Sequence, residues 1–239
     1  MLILVGWAVA IAFGVISLVA WRHSGYPLTH VIPTDPEAVL AELRAGNARF
    51  VSSHRIFSAD TKHDEVLRRQ LAKGQHPFVG ILCCADSRVC PEVIFDQPVG
   101  SFFEIRNAGN VMDDDTIASM EYAAEHLQVR FLCVLGHKGC GAIEAVHSAG
   151  AKPLHDHLKA LQDRMRGIMP KVLASQDQHT PGHLAWLSLE NAKEQAKSLL
   201  TESEPVRSAV SRGELCLMIG MYDMENGEVE FFDSPSNDR

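Results

Sequence analysis

Apolar and polar positions along the chain predict where its strands lie. Runs of strand length occur five times, at 78–83, 102–106, 130–135, 215–222 and 228–232. The first run is continuous rather than alternating, which is typical of a parallel strand covered by helices on both faces. The pair Asn226-Gly227, just before the fifth run, is a turn signal and predicts a hairpin at the end of the chain.

Helical segments separate these runs. They are predicted at 35–50, 62–73, 92–95, 113–127, 139–148 and 153–201, the last with a polar interruption at 175–182. Asp35 followed by Pro36 is a helix start, and the aspartates at 113–115 suit the positive end of a helix dipole. The alternation predicts an α/β fold with a mainly parallel β-sheet flanked by helices and a C-terminal antiparallel edge strand. Ligands of such sheets bind beyond the carboxyl ends of the strands.

The N-terminus has a different pattern. Residues 1–21 contain no charged side chain, and a helix of that length roughly spans a ~30 Å hydrocarbon core. No Lys or Arg precedes this segment and 18–20 is a poor cleavage site, which favours an uncleaved membrane anchor over a signal peptide. Arg22 slightly favours a cytosolic location for the folded part, with a secreted or periplasmic location after cleavage as the alternative. The predicted organisation is an anchor or signal-like segment at 1–22, a linker at 23–34 and one folded domain at 35–239.

Composition narrows the classes of function. The 239 residues are 46% hydrophobic and carry a formal charge of −8, so no basic surface for nucleic acid is expected. Three of the six cysteines lie inside strand runs and are interpreted as small buried hydrophobes: Cys83, Cys133 and Cys216. Cys84 and Cys140 stand at the ends of runs, beside polar residues or glycine. At those two positions a metal thiolate is the better interpretation.

Two cysteines and a histidine follow predicted strands. Cys84 comes directly after the first run, whereas His137 and Cys140, three residues apart, follow the third. Sulfur and nitrogen ligands are typical of tetrahedral zinc, and a catalytic zinc keeps its fourth position open for water, whose pKa it lowers from about 16 to about 7. Asp86 either closes the coordination shell as a fourth ligand or pairs with Arg88 beside a bound water. A closed shell favours a structural site, whereas an open one delivers hydroxide to a small electrophilic carbon.

Four stretches, taken in order, resemble the β-class carbonic anhydrases. They are Cys-Ala-Asp-Ser-Arg-Val-Cys-Pro at 84–91, Arg-Asn-Ala-Gly-Asn at 106–110, Glu-Tyr at 121–122 and Gly-His-Lys-Gly-Cys-Gly at 136–141. The resemblance covers roughly residues 35–232 and implies a catalytic domain that reversibly hydrates carbon dioxide to bicarbonate and a proton, through hydroxide on one Zn²⁺ per chain. It implies Cys84, His137 and Cys140 as the zinc ligands, with the Asp86–Arg88 dyad beside them. It also implies a homodimer or dimer of dimers in which the pocket is completed across the interface.

The same resemblance sorts the substrate site. Gln75, nine positions before the first cysteine ligand, and Tyr122 match the plant-type members, whereas Ile81 stands where members with a non-catalytic bicarbonate site carry tryptophan. Substrate binding by Gln75 and Tyr122, with Phe103 in the apolar lining, is therefore implied. Lys138 departs from the small hydroxyl residue that is usual at its position. The alternative functions are a same-fold hydrolase of carbonyl sulfide or carbon disulfide, and a non-catalytic zinc- or bicarbonate-binding module.

Overall fold

The computed structural model describes residues 33–57, 64–175 and 180–234. Its helices and strands are, in chain order, α1 (Pro36–Val51), α2 (Asp64–Leu71), β1 (Val79–Cys84), α3 (Pro91–Ile94), β2 (Phe102–Asn107), α4 (Asp114–Glu125), β3 (Phe131–His137), α5 (Gly141–Ala149), α6 (Leu158–Arg164), α7 (Met169–Ala174), α8 (Pro181–Glu202), α9 (Glu204–Ser211), β4 (Cys216–Tyr222) and β5 (Val229–Asp233). Turns of 3₁₀ helix also form at Ala108–Asn110 and Arg166–Ile168.

The strands form one sheet in the order β2-β1-β3-β4-β5. The first four of these are parallel to one another, and β5 runs antiparallel to β4 at the edge. The predicted fold class is thus confirmed. The register of β1 on β2 sets Val79 beside Phe102 and Cys84 beside Asn107. The two strands therefore begin and end together, and residues at their carboxyl ends share one edge.

Helices cover both faces of the sheet. All residues of β1 and β3 are buried, as the continuous apolar runs predict. One face packs on α4, α8 and α9, and the other on α1 and α3. Gly136 in β3 permits close approach of α8, because a Cβ there would lie 3.2 Å from the Cβ of Ala192. This close contact matters for the site, since α8 lies directly behind the strand that ends in His137.

Local sequence explains where two helices begin. The carboxylate of Asp35 accepts a hydrogen bond from the N–H of Ala38, and Asp113 accepts one from Thr116, so both act as N-caps. The three aspartates at 113–115 thus have the predicted role. Helix α9 was not predicted. It begins because Ser203 both ends α8 and caps the next helix, accepting a hydrogen bond from Val206.

One histidine of α5 lies in the core. His147 is fully buried, and its Nε2 lies 3.1 Å from the carbonyl oxygen of Ser175. The backbone carbonyl pairs with one ring nitrogen that packing has removed from water.

The structure corrects the predicted membrane association. Within residues 33–57, 64–175 and 180–234, no helix combines the length and the apolar character needed to cross a bilayer. We therefore withdraw the predicted anchor and the membrane-anchored localisation that followed from it, because no described helix supports them. Residues 1–21, on which that prediction rested, lie outside the described residues.

Candidate active site

Three potential metal ligands meet at the carboxyl edge of the sheet. Cys84 is the last residue of β1, His137 is the last residue of β3, and Cys140 directly precedes α5 as its N-cap. Because β1 and β3 are adjacent parallel strands, their ends bring these residues together although 53 positions separate Cys84 from His137. The ligand atoms all lie within 4.8 Å of one another, and all three residues are buried.

The imidazole of His137 is oriented by the chain next to it. Its Nδ1 lies 2.9 Å from the carbonyl oxygen of Lys138. A carbonyl oxygen can only accept, so Nδ1 carries the proton and the neutral ring keeps a lone pair on Nε2. That Nε2 is buried and has no hydrogen-bond partner among the described residues. A buried lone pair without a partner is costly unless a ligand such as a metal ion takes it up.

The two sulfur atoms lie 4.0 Å apart, within hydrogen-bond distance of each other. The hydrogen bond with Cys140 is the main cause that lowers the pKa of Cys84. Burial opposes this shift, whereas His137 and then the N–H groups of Asp86 and Gly109 lower the pKa further, that of Gly109 from 3.3 Å. The same contact, together with burial, raises the pKa of Cys140. The contact thus favours the thiolate form of Cys84, which is the form of cysteine that binds metal ions.

Asp86 and Arg88 form a bidentate pair beside this group. The guanidinium donates to Oδ1 of Asp86 at 2.9 Å and to Oδ2 at 2.7 Å, and the Arg88 N–H also donates to Oδ1. These contacts, led by the side-chain hydrogen bonds, hold the pKa of Asp86 well below its ordinary value. Arg88 also reaches the carbonyl oxygen of Gly139, in the turn between His137 and Cys140. In the described structure Asp86 is therefore an ionised partner of Arg88 and is not part of the three-residue metal group.

Arg106 supports the loop that carries this pair. Its Nη2 donates to the carbonyl oxygens of Val89 at 2.6 Å and Asp86 at 3.0 Å. Arg106 lies one position before the end of β2, the edge strand beside β1. Sequence reasoning placed it in a motif without a role. An arginine near the end of a predicted strand is a weak signal by itself, because its backbone targets are visible only after folding.

Gln75, Phe103 and Tyr122 do not reach the metal group. Phe103 is paired with Gly80, four residues before Cys84 along β1, which is about 13 Å at the rise of a strand. Tyr122 contacts Phe103, with ring centroids 5.8 Å apart, and is 45% exposed. Gln75 is exposed and precedes β1. All three lie toward the amino edge of the sheet, at the opposite end from Cys84.

Lys138, the residue that departs from the usual pattern, points toward β4. Its Nζ pairs with the carboxylate of Asp223, which follows the end of β4. This contact raises the pKa of Lys138 and lowers that of Asp223. The Lys138 N–H donates to the carbonyl oxygen of Tyr222, and its own carbonyl oxygen is the acceptor for His137. The backbone of Lys138 therefore orients His137, whereas its side-chain charge is neutralised by Asp223.

A family model for carbonic anhydrase matches residues 79–229. This range covers more than half of the chain and contains all three residues of the metal group. The chain belongs to the carbonic anhydrase family. Carbonic anhydrase 2 of Mycobacterium tuberculosis is 31% identical over 210 residues, which cover 85% of this chain and 96% of that relative. The carbonic anhydrase of Mycolicibacterium smegmatis is 30% identical, and the alignment covers 82% of this chain and 93% of the relative.

Solved structures identify the class within the carbonic anhydrases. The β-carbonic anhydrase CafA of the fungal pathogen Aspergillus fumigatus is 26% identical, with a TM-score of 0.64 over 85% of this chain and 92% of that chain. The Coccomyxa β-carbonic anhydrase, in complex with acetazolamide, is 25% identical, with the same TM-score over 74% of this chain and 83% of that chain. The chain is accordingly a β-class carbonic anhydrase, as its motifs predict.

Zinc is the cofactor of β-class carbonic anhydrases, and the described residues suit it. Two sulfur atoms and an imidazole nitrogen are the donors that zinc prefers, and the lone pair on Nε2 of His137 is left without a partner in the described chain. Sequence reasoning missed the polar residues behind this group. Asn191 and Gln195, on the buried side of α8, bond to the turn that contacts Cys84. Their signal was two amides four positions apart within a predicted helix.

Proposed function

We propose that this chain is a zinc-dependent carbonate dehydratase that reversibly hydrates carbon dioxide to bicarbonate and a proton. The observation that carries the proposal is the buried group of Cys84, His137 and Cys140, whose ligand atoms lie within 4.8 Å of one another. These three would hold the zinc ion. A zinc ion there supplies the Lewis acidity that makes water a nucleophile near neutral pH.

Asp86 and Arg88 would control what approaches the metal. The pair joins the loop after β1 to the turn after β3, because Arg88 contacts both Asp86 and Gly139. Its guanidinium keeps the Asp86 carboxylate ionised, so that carboxylate can only accept hydrogen bonds. The Asp86 carboxylate would orient a reacting group that donates a hydrogen bond and would repel a group that cannot. Hydroxide and bicarbonate can donate such a hydrogen bond, whereas most small anions cannot.

Substrate binding would require a second copy of the chain. Gln75, Phe103 and Tyr122 lie toward the amino edge, roughly 13 Å or more from Cys84 by the register of β1 and β2. Tyr122 nevertheless exposes 45% of its surface beside Phe103, which suits an apolar molecule such as carbon dioxide. We propose a homodimer or dimer of dimers in which these residues line the metal site of the other protomer. This arrangement explains why aromatic side chains are exposed far from the metal group.

Stopped-flow hydration of carbon dioxide tests the reaction. The zinc-loaded protein should hydrate carbon dioxide rapidly. Cys140→Ser should lose most of the bound zinc, and its hydration rate should fall at least about 1,000-fold, because one of three ligands is gone. Cys216→Ser is the matched control, since Cys216 is a half-buried cysteine at the start of β4, away from the site. An unchanged hydration rate in Cys140→Ser would refute the proposal.

A parallel assay separates the substrates. Carbon dioxide, carbonyl sulfide and carbon disulfide are offered to the same zinc-loaded preparation. We expect carbon dioxide to have the highest kcat/KM of the three. Preferred turnover of either sulfur compound would replace carbon dioxide as the substrate, and bound zinc with no turnover of any of the three would make the chain a binding module.

A further inference from the structure

A buried polar network links helix α8 to one sulfur atom of the metal group. The side chain of Asn191 donates from Nδ2 to the carbonyl oxygen of Gly109 at 2.9 Å. Gln195, one turn further along α8, donates from Nε2 to Oδ1 of Asn191 and accepts from the N–H of Met112 at 2.6 Å. Asn191 is fully buried and Gln195 is 1% exposed. Two amides thus hold both ends of the turn that follows β2.

The peptide units of Gly109 connect this network to Cys84. The Gly109 N–H donates to Sγ of Cys84 at 3.3 Å, while its carbonyl oxygen accepts from Asn191. Gly109 has φ +73°, and a Cβ there would lie 2.3 Å from Cε of Met165. Glycine adopts this conformation without strain, and a larger residue would require Met165 to move. The side chain of Asn107 closes the same turn through hydrogen bonds with the N–H and the carbonyl oxygen of Val111.

We infer that Asn191 and Gln195 are positioning residues for the metal site, which hold the Gly109 N–H on the Cys84 thiolate. The inference rests on the proposed role of Cys84 as a zinc ligand and adds two residues that never touch the metal or the substrate. A hydrogen bond from N–H withdraws charge from a thiolate, which makes the sulfur a weaker donor and the metal a stronger Lewis acid. Residues of helix α8 would thereby raise the Lewis acidity of the metal without contacting it.

Packing alone would not select these two amides. A buried amide costs free energy unless its donors and acceptors are paired, and leucine or methionine would fill a similar volume without that cost. Here the pairing is nearly complete. Both polar atoms of each side chain have partners, including the carbonyl oxygen of Arg164 for Nε2 of Gln195. The network therefore fixes the turn that follows β2.

Cobalt substitution gives a readout that does not depend on activity. Co²⁺ bound by thiolates shows a sulfur-to-metal charge-transfer band in the near ultraviolet, and its energy falls as the sulfur becomes a stronger donor. We expect Asn191→Leu to shift this band to longer wavelength, because the thiolate loses a hydrogen bond and becomes a stronger donor. Ser188→Ala is the matched control. Ser188 is 3% exposed on the same helix, and its hydroxyl bonds only within α8 among the contacts described.

The outcomes separate this inference from the proposed function. A charge-transfer band in the unchanged protein tests thiolate ligation, and its absence would refute the metal site itself. A band that is present but not shifted in a folded Asn191→Leu variant would overturn the inference alone, because the network would then be structural only. If Asn191→Leu does not fold, Gln195→Met replaces it. A smaller shift in the same direction is expected there, and an unshifted band would again overturn the inference.

Discussion

The two edges of the β-sheet differ in what one protomer completes. At the carboxyl edge, Cys84, His137 and Cys140 come together within 4.8 Å, and the Asp86–Arg88 pair stands beside them. Toward the amino edge, Tyr122 contacts the ring of Phe103 and stacks on that of His126. One edge is buried and polar, and the other is exposed and aromatic.

This difference shows which part of a site a single chain can build. Ligands at the ends of adjacent parallel strands converge through backbone hydrogen bonding alone, so the metal group needs no other protomer. Phe103, proposed to line the substrate pocket, pairs with Gly80 four positions before Cys84, and strand register holds it at that distance from the metal group. Only a second copy can bring its amino edge to the carboxyl edge of the first.

The Asp86–Arg88 pair should affect the reaction without affecting the metal. Asp86→Asn removes the anionic partner of Arg88 and should lower kcat/KM for hydration by about 100-fold, as is typical when a positioned polar group is lost. Zinc content, measured by elemental analysis, should stay near one per chain because Asp86 is not among the three metal ligands.

Asp163→Asn is the control for that prediction, because Asp163 forms exposed ion pairs with Lys159 and Arg166 on and after α6. Its activity should match that of the unchanged protein. Loss of zinc from Asp86→Asn would show that the carboxylate is a metal ligand. The separation of the Asp86–Arg88 pair from the metal ligands would then be wrong.

Mixing two inactive variants should restore activity if the edges of two protomers form one site. Gln75→Leu/Tyr122→Ala should lower hydration by about 30-fold, which corresponds to two lost contacts of about 1 kcal/mol each. Cys140→Ser lacks the metal. Co-refolded in equal amounts, half of the dimers are mixed and each has one complete site of two, so about a quarter of the unchanged activity should return.

The control for this mixing experiment places both defects on one chain. A Gln75→Leu/Tyr122→Ala/Cys140→Ser triple variant mixed with the unchanged protein tests whether mixed dimers retain one site. If the two separate variants give no more than the sum of their own activities, the pocket is not shared between protomers.

The smallest effect concerns Glu104, midway along the strand that joins the two edges. Burial is the main cause that raises its pKa to about 8, and a hydrogen bond with Glu92 adds to it. An acid whose folded pKa exceeds its unfolded value contributes stability at low pH that is lost as pH rises, here between about 4.5 and about 8. Glu104→Gln should remove this loss and gain a few degrees in Tm at pH 8 relative to pH 5, as seen by calorimetry.

Asp86 does not obscure that window. Its lowered pKa contributes stability that is present above the ordinary aspartate range and is lost only in strong acid. A Tm difference between Glu104→Gln and the unchanged protein that is the same at pH 5 and pH 8 would contradict the assignment of a neutral Glu104.

The sequence predicted elements better than it predicted neighbours across the sheet. The apolar runs predicted strand ends at 83 and 135, whereas the strands end one and two residues later, at Cys84 and His137. Helix α9 was missed, since Ser203 gives no gap between two helices. The placement of Phe103 opposite Gly80 depends on strand register, which local patterns do not contain.

The candidate site was predictable to the extent that its residues form motifs. Cys84, Asp86, Arg88, His137 and Cys140 stand in short, recognisable spacings. Arg106 and Asn191 act on backbone oxygens of distant segments, and no residue type at the other end of those contacts marks them. A hydrogen bond to a backbone oxygen does not depend on the residue type of the partner, so the sequence does not reveal it.

The separation of the ligands along the chain has a kinetic consequence. His137 and Cys140 lie in one tight turn, whereas Cys84 joins them only through the pairing of β1 with β3. A chain still emerging during synthesis therefore offers a metal ion at most two of its three donors until that long-range pairing forms. Metal capture during refolding would therefore follow the pairing of the central strands and report its completion.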